Sequence, residues 1–232
     1  MGKEYEAKFL DIDVKNMREK IKKLGGTLIH ENKRYVRSIF KLCNSDKKGF
    51  ARVRDEAGKV TITCKIYNND NYPDEFEVNV KEDFETAKSL LESLNLEMKA
   101  FQETMREKWS LPDKEVHEIT FDTIPGLPTY MEIDCTTEAA LNKTIENLNL
   151  DKNKMRFGSF DKTYEEYYGI EKDIINNHTS SLTFKNILNE IKPNKNKDLL
   201  IKIHKEQNTK KVLNYKSKYL KYKKKYLSLK DN

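Results

Sequence analysis

Short stretches of strict polar–apolar alternation recur over residues 4–135, and their polar positions carry charge, often of one sign. Side chains two apart on a strand share a face, so the pattern assigns whole charged faces to a β-sheet. Glu4, Glu6 and Lys8 oppose Tyr5, Ala7 and Phe9, and Arg52 and Arg54 oppose Ala51 and Val53. Thr61, Thr63 and Lys65 oppose Val60, Ile62, Cys64 and Ile66. Glu75 and Glu77 oppose Phe76 and Val78, and Thr104 and Arg106 oppose Met105. Glu118, Thr120 and Asp122 oppose Ile119 and Phe121, and Glu132 and Asp134 oppose Met131 and Ile133.

For any one strand, alternation ordinarily means apolar side in and polar side to water, on an open sheet or sandwich. The set as a whole points elsewhere. Like charges two residues apart gain nothing on a solvated face, yet acidic pairs stand at 4/6, 75/77 and 132/134 and a basic pair at 52/54. A barrel with its apolar faces packed outward against helices, and its charged faces turned into a bore, accounts for all of them. Paired carboxylates suit hard divalent cations. Paired arginines suit phosphate oxygens, because the planar guanidinium donates two parallel hydrogen bonds. A polyphosphate–metal complex satisfies both.

The spacing predicts strands near 4–10, 34–42, 50–55, 59–67, 75–80, 103–110, 116–123 and 129–135, with a turn-rich stretch from Asn68 to Pro73. Between them lie helical patterns. Val14, Met17, Ile21 and Leu24 form one face, capped by Asp13 and ended by Gly25-Gly26; Ala87, Leu90, Leu91 and Leu94 follow Asp83; Leu141, Ile145 and Leu148 follow Thr136-Thr137. A short helix is expected over 161–169. About eight strands with a few helices predict an α+β domain with a closed or strongly curved antiparallel sheet.

Composition divides the chain. Residues 183–232 hold fifteen lysines against Glu190, Asp198, Glu206 and Asp231, leaving 29 basic and 34 acidic side chains in residues 1–182. The overall charge of +6 therefore belongs to the tail. Three units are expected: a tunnel domain over 1–170, a partly helical or disordered linker over 171–211, and a basic Tyr/Lys-rich amphipathic helix over 212–232. In the last, Tyr215, Tyr219, Tyr222 and Tyr226 share one face. No apolar run approaches the roughly 18 residues of a membrane span. The start of the chain carries no signal-like apolar run, and Cys43, Cys64 and Cys135 are too scattered for a disulfide framework or a zinc site. A cytoplasmic, reducing setting is the expectation. His30 and His117 are read as structural or exposed, and Trp109 as core or barrel wall.

These residues resemble the CYTH, or triphosphate tunnel metalloenzyme, superfamily. Glu4-Tyr5-Glu6-Ala7-Lys8 looks like its ExExK signature, Arg52-Val53-Arg54 like its RxR strand, Thr61 to Lys65 like the strand ending in a phosphate-binding lysine, and Glu75-Phe76-Glu77 like its ExE strand. Arg106 before Trp109 resembles the later basic strand. Asp122, Pro125-Gly126-Leu127 and Tyr130 to Asp134 resemble the final hairpin. The resemblance spans about residues 3–170. It implies an eight-stranded tunnel open at both ends, in which Lys8, Arg52, Arg54, Lys65 and Arg106 contact a triphosphate. It implies that Glu4, Glu6, Glu132 and Asp134 hold Mg²⁺ or Mn²⁺. Glu4, Glu6, Lys8, Lys65, Glu75 and Glu77 form the catalytic set, with Asp122 and Lys108 as further candidates. The chain departs from the pattern in Tyr35 to Phe40, where many members carry an aromatic–acidic strand, and at Thr104, where a second basic residue is common.

The implied function is metal-dependent hydrolysis of a phosphoanhydride in a small inorganic, thiamine or nucleoside triphosphate. The alternatives are a class IV adenylyl-type nucleotidyl cyclase, an RNA 5′-triphosphatase, and a non-catalytic polyphosphate- or nucleotide-binding module. The tail resembles the KYLKYKKKYL-type C-termini of giant-virus proteins, which implies a viral source and a host-cytoplasm or virion setting. Its partner is expected to be acidic or a nucleic acid. The sequence leaves the oligomeric state open.

Overall fold

The computed structural model describes residues 5–43, 46, 48–67, 74–158 and 160–209. Glu4 and the Tyr/Lys-rich stretch 212–232 lie outside the described residues. The chain runs β1 (Tyr5–Phe9), α1 (Val14–Lys23), β2 (Thr27–Phe40), β3 (Gly49–Asp55), β4 (Val60–Ile66), β5 (Asp74–Val80), α2 (Phe84–Ser93), β6 (Met98–Ser110), β7 (Val116–Thr123), β8 (Tyr130–Cys135), α3 (Glu138–Asn147), β9 (Met155–Arg156), α4 (Asp161–Tyr168), α5 (Lys172–Asn177), β10 (Ser181–Leu182), α6 (Ile187–Glu190) and a helix, α7, over 197–209. Local chemistry sets the helix starts. Asp13, Asp83 and Thr137 each accept a backbone N–H three residues on, from Asn16, Thr86 and Ala140, which satisfies a donor the first helical turn otherwise leaves open.

The strands form one sheet in the order β5-β4-β3-β2-β6-β7-β8-β1-β9, antiparallel throughout, with β10 added parallel to β6. The expected closed eight-stranded barrel is not what forms. The sheet curls but stays open, and no pairing joins β5 to β1 or β9 among the described residues. The free edge of β1, where closure would occur, is taken by β9 through Lys8↔Arg156 and Phe9↔Met155. The curl comes from the long strands β2 and β6, whose ladder carries register shifts near Leu28, His30 and Ile39; such bulges bend a strand and raise its twist.

The apolar faces point outward, as the alternation predicts. Ala7, Phe9, Ile119, Phe121, Met131 and Ile133 pack on Met17 and Ile21 of α1 and on Leu141 and Ile145 of α3. Trp109 belongs to this core, with its indole N–H donated to Glu107. Val36, Phe40, Ala51, Val53 and Val60 pack on Phe84, Ala87 and Leu91 of α2. Leu90 and Leu94, expected on that face, are instead exposed. Among the described residues no helix is long and apolar enough to cross a membrane.

The stretch read from composition as a linker is packed over 171–209. Ile175, Leu182, Ile187, Ile191 and Leu200 are buried with Ile124, Leu127, Tyr130, Tyr164 and Tyr168. Each such side chain contributes about 1.5–3 kcal/mol on burial, which favours packing of a polar segment that composition alone marks as loose. The β7–β8 turn is its anchor. The Tyr164 and Tyr168 hydroxyls donate to the carbonyls of Pro125 and Gly126, and the Gln207 amide donates to those of Ile124 and Leu127. Gly126 has φ +73°, and a Cβ there would lie 2.6 Å from Leu200 Cδ1. Gly126→Ala should therefore lower unfolding free energy by about 1–3 kcal/mol, read from urea denaturation midpoints. Gly58→Ala, also at positive φ (+108°) but with open space around it, should show only the smaller backbone part; equal losses would mean that the contact with α7 carries no weight.

Candidate functional site

The inward faces of the strands line one cavity of about 1830 Å³. It is walled from β5 at one end of the sheet to β1 and β9 at the other, and residues 157, 158 and 160–162 with Asn176 and Asn177 flank the open side. Glu6, Lys8, Arg52, Arg54, Lys65, Glu75, Glu77, Arg106, Lys108, Asp122, Glu132 and Asp134 all line it. Every sequence-predicted site residue that the structure describes thus converges on one space.

Register decides how their charges meet. Lys65 stands directly opposite Glu75, Lys8 opposite Glu132 and Arg106 opposite Asp122. The corresponding contacts are Lys65 Nζ–Glu75 at 2.6 Å, Lys8 Nζ–Glu132 at 3.0 Å and Arg106 Nε–Asp122 at 2.7 Å. Lys8 also reaches Glu6 at 3.2 Å and the carbonyl of Gly158 at 2.7 Å. Arg106 extends to Glu118 at 3.1 Å and Glu132 at 3.4 Å, and Lys108 pairs with Glu118. On the other wall Arg52 lies 3.5 Å from Glu75 and 3.6 Å from Glu77, while Arg54 pairs with Glu56 at 2.5 Å. Thr63 ties this wall together, accepting from Arg52 and donating to Glu77.

Burial alone would lower the Lys8 ammonium, but Glu132 and Glu6 outweigh it and raise it to about 12. Burial likewise works against the Arg106 cation and the Glu132 carboxylate. Asp122, Glu132 and Glu118 hold Arg106 well above its ordinary value, and Lys8 and Arg106 hold Glu132 below its own. Asp122 goes the other way, because its burial outweighs Arg106 and raises it. On the β3 wall, burial and the neighbouring Arg54 depress Arg52 to about 10.

Sequence reasoning missed several lining groups. Arg37 projects into the cavity from β2, stands opposite both Arg54 and Gln102, and is depressed to about 9 by burial and by Arg52 and Arg54. Tyr35, Glu56 and Gln102 also line it. The signal was present: Tyr35, Arg37 and Ile39 alternate with Val36, Ser38 and Phe40. Each face mixes polar with apolar side chains, so alternation alone did not mark which one is inward.

The carboxylates suit a hard cation in kind. Glu6 and Asp134 are directly opposed on β1 and β8, an arrangement that costs energy without a neutralising partner, and Glu132 lies two residues away on the same face. Among the described residues no three acidic, histidine or cysteine side chains are already drawn together as a metal cluster; Lys8 and Arg106 occupy Glu132 instead. The donor chemistry fits a divalent ion once those cations are engaged elsewhere.

A sequence model of the CYTH domain matches residues 2–165. No curated protein matches the chain. Among solved structures, the PH1819 protein of Pyrococcus horikoshii OT3 aligns at 23% identity and TM-score 0.52, over 70% of this chain and 98% of that one. The PH1012 protein of the same organism aligns at 22% and 0.53, over 66% and 94%. A Vibrio parahaemolyticus protein named as a candidate adenylate cyclase aligns at 16% and 0.55, over 69% and 97%. At these identities the likeness establishes the fold.

The buried ion cluster makes a pH-dependent contribution. Glu132 has a folded value below its unfolded one, so its stabilisation is full above the ordinary carboxylate range and disappears as pH falls through the folded value. Glu132→Gln leaves Lys8 and Arg106 short of a partner and should cost about 3–5 kcal/mol at neutral pH. The gap to the unaltered protein should close as pH drops below the glutamate range. Equal stability at neutral pH in urea titrations would contradict this account.

Proposed function

The chain belongs to the CYTH domain family, and on that premise we propose that it hydrolyses a phosphoanhydride bond in a small triphosphate bound in the cavity, releasing orthophosphate. The observation that carries this reading is the β3 wall. Arg52 and Arg54 project into one water-accessible space under mutual repulsion, with Arg52 depressed by burial and by Arg54. The carboxylates beside them offset part of that repulsion, a bound anion would relieve it further, and guanidinium forks match phosphate oxygens.

In this reading Lys8, Arg52, Arg54, Lys65 and Arg106 bind the phosphate chain, with Lys108 at its margin. Their role is electrostatic: charge spreading over the phosphoryl oxygens in a loose transition state is met by cations already in place. Among the described residues no serine or cysteine lines the cavity, which fits attack by water. Glu75 and Glu77 touch Arg52, Arg54 and Lys65, so they act as positioning residues that fix the forks. Asp122 does the same for Arg106. Glu6, Glu132 and Asp134 would hold Mg²⁺ or Mn²⁺, with Glu4 assigned to the same set by its place two residues before Glu6. Such an ion supplies further neutralisation of the phosphates.

Purified protein with Mg²⁺ or Mn²⁺ should release orthophosphate from at least one of tripolyphosphate, thiamine triphosphate, ATP and 5′-triphosphorylated RNA. Arg52→Ala combined with Arg54→Ala should lower kcat/KM by about a hundredfold or more, given roughly 1.5–3 kcal/mol per charge-assisted bond. Truncation after Thr209 should leave turnover of small substrates unchanged. Cyclic nucleotide and diphosphate from ATP would replace hydrolysis by the cyclase reaction. Tight binding of a triphosphate without any product would make the protein a binding module.

A further inference from the structure

Of the described strand-borne cations that line the cavity, Lys8, Arg52, Arg54, Lys65, Arg106 and Lys108 each have a carboxylate within salt-bridge distance, and Lys99 on β6 does not. Arg37 has none among the described residues. It is nevertheless carefully held. Its Nε donates to Gln102 Oε1 at 2.7 Å, and its guanidinium carbon lies 5.0 Å from the centroid of the Phe160 ring. The two terminal nitrogens have no hydrogen-bond partner among the described residues, while the side chain lines the cavity. Its direct cross-strand neighbour on β3 is Arg54. Like charges placed directly opposite in an antiparallel pair destabilise it. Even depressed to about 9, Arg37 is protonated at neutral pH, so the protein carries this charge uncompensated.

We propose that Arg37, with Arg52 and Arg54, forms a subsite for the terminal phosphoryl group of the substrate, so that the cavity selects a linear triphosphate with a free end. The proposal rests on the triphosphate reading above and assigns one of its ends. A terminal phosphoryl group has three non-bridging oxygens and up to two charges; an internal one has two such oxygens and one charge. Three guanidinium forks around one position match the former in both count and charge. Gln102 and the Phe160 ring restrict the Arg37 side chain, so little rotamer freedom remains to be lost when its terminal nitrogens engage the anion.

The test uses the full chain and two variants, Arg37→Met and Arg37→Lys, titrated calorimetrically with linear tripolyphosphate and with cyclic trimetaphosphate, which has no terminal phosphoryl group. Arg37→Met should weaken tripolyphosphate binding about 10- to 100-fold, the worth of a charge-assisted contact, and should leave trimetaphosphate binding as it was. Arg37→Lys, which keeps the charge but not the fork, should fall between. In turnover the loss should appear mainly in KM. The thermal midpoint of free Arg37→Met should rise, because a repelled charge is gone; a purely structural prop against Phe160 requires it to fall. Unchanged tripolyphosphate affinity, or an equal loss for both anions, overturns the subsite while leaving the triphosphate reading intact. A wild-type protein that neither binds nor cleaves tripolyphosphate, thiamine triphosphate or ATP overturns that reading and the subsite with it.

Discussion

A cation inside this sheet is tolerable because a carboxylate faces it from the next strand. Lys65 and Glu75, Lys8 and Glu132, and Arg106 and Asp122 are direct cross-strand partners. Charge neutrality of the cavity is thus written into β-ladder register. A slip of one residue in β4, β6 or β8 would send the inward charges into the outer core and the outer Ile, Val and Met side chains into water. The same period of two therefore fixes the apolar packing against α1, α2 and α3 and the ionic lining within. The two cannot be separated by mutation of register, and this couples the stability of the fold to the integrity of the site.

Period-two alternation made most of the lining legible. Glu6, Lys8, Arg52, Arg54, Lys65, Glu75, Glu77, Arg106, Asp122, Glu132 and Asp134 were placed on one face from spacing, and one cavity gathers them. Arg37 was not, because both faces around it mix polar and apolar side chains: Tyr35, Arg37 and Ile39 on one, Val36, Ser38 and Phe40 on the other. Closure was not legible either. Whether the last pair of strands meets depends on what competes for the edge of β1, and a two-residue strand, Met155–Arg156, gives almost no pattern to read. The packing of residues 171–209, expected only to be partly helical or disordered, was hidden for a third reason. Their apolar side chains are sparse and separated by Asn and Lys, so burial becomes evident only when the β7–β8 turn supplies a partner surface.

The C-terminal segment also bears on the site. Phe160, at the head of α4, stacks on Arg37, while α4 itself is held by tyrosine hydroxyls bonded to the β7–β8 turn. That turn continues directly into Tyr130 and Glu132 on β8. Packing outside the sheet thereby orients a guanidinium within the cavity, and the fold's open side is flanked by residues 157, 158 and 160–162 around the start of α4, with Asn176 and Asn177 of α5.

Pre-paired charges set the terms on which ligands bind. In the free protein Lys8 neutralises Glu132 and Glu6, and Arg106 neutralises Asp122, Glu118 and Glu132. A phosphate chain that draws Lys8 and Arg106 toward its own oxygens leaves Glu6, Glu132 and Asp134 with too few cations around them. Their affinity for a divalent ion must rise by the same factor by which that ion raises affinity for the phosphate chain, since coupling between two ligands is reciprocal. On the proposed function, the carboxylate corner would be poor at holding metal by itself and strong in the ternary complex, a consequence of using one set of ion pairs both to line the cavity and to receive its contents.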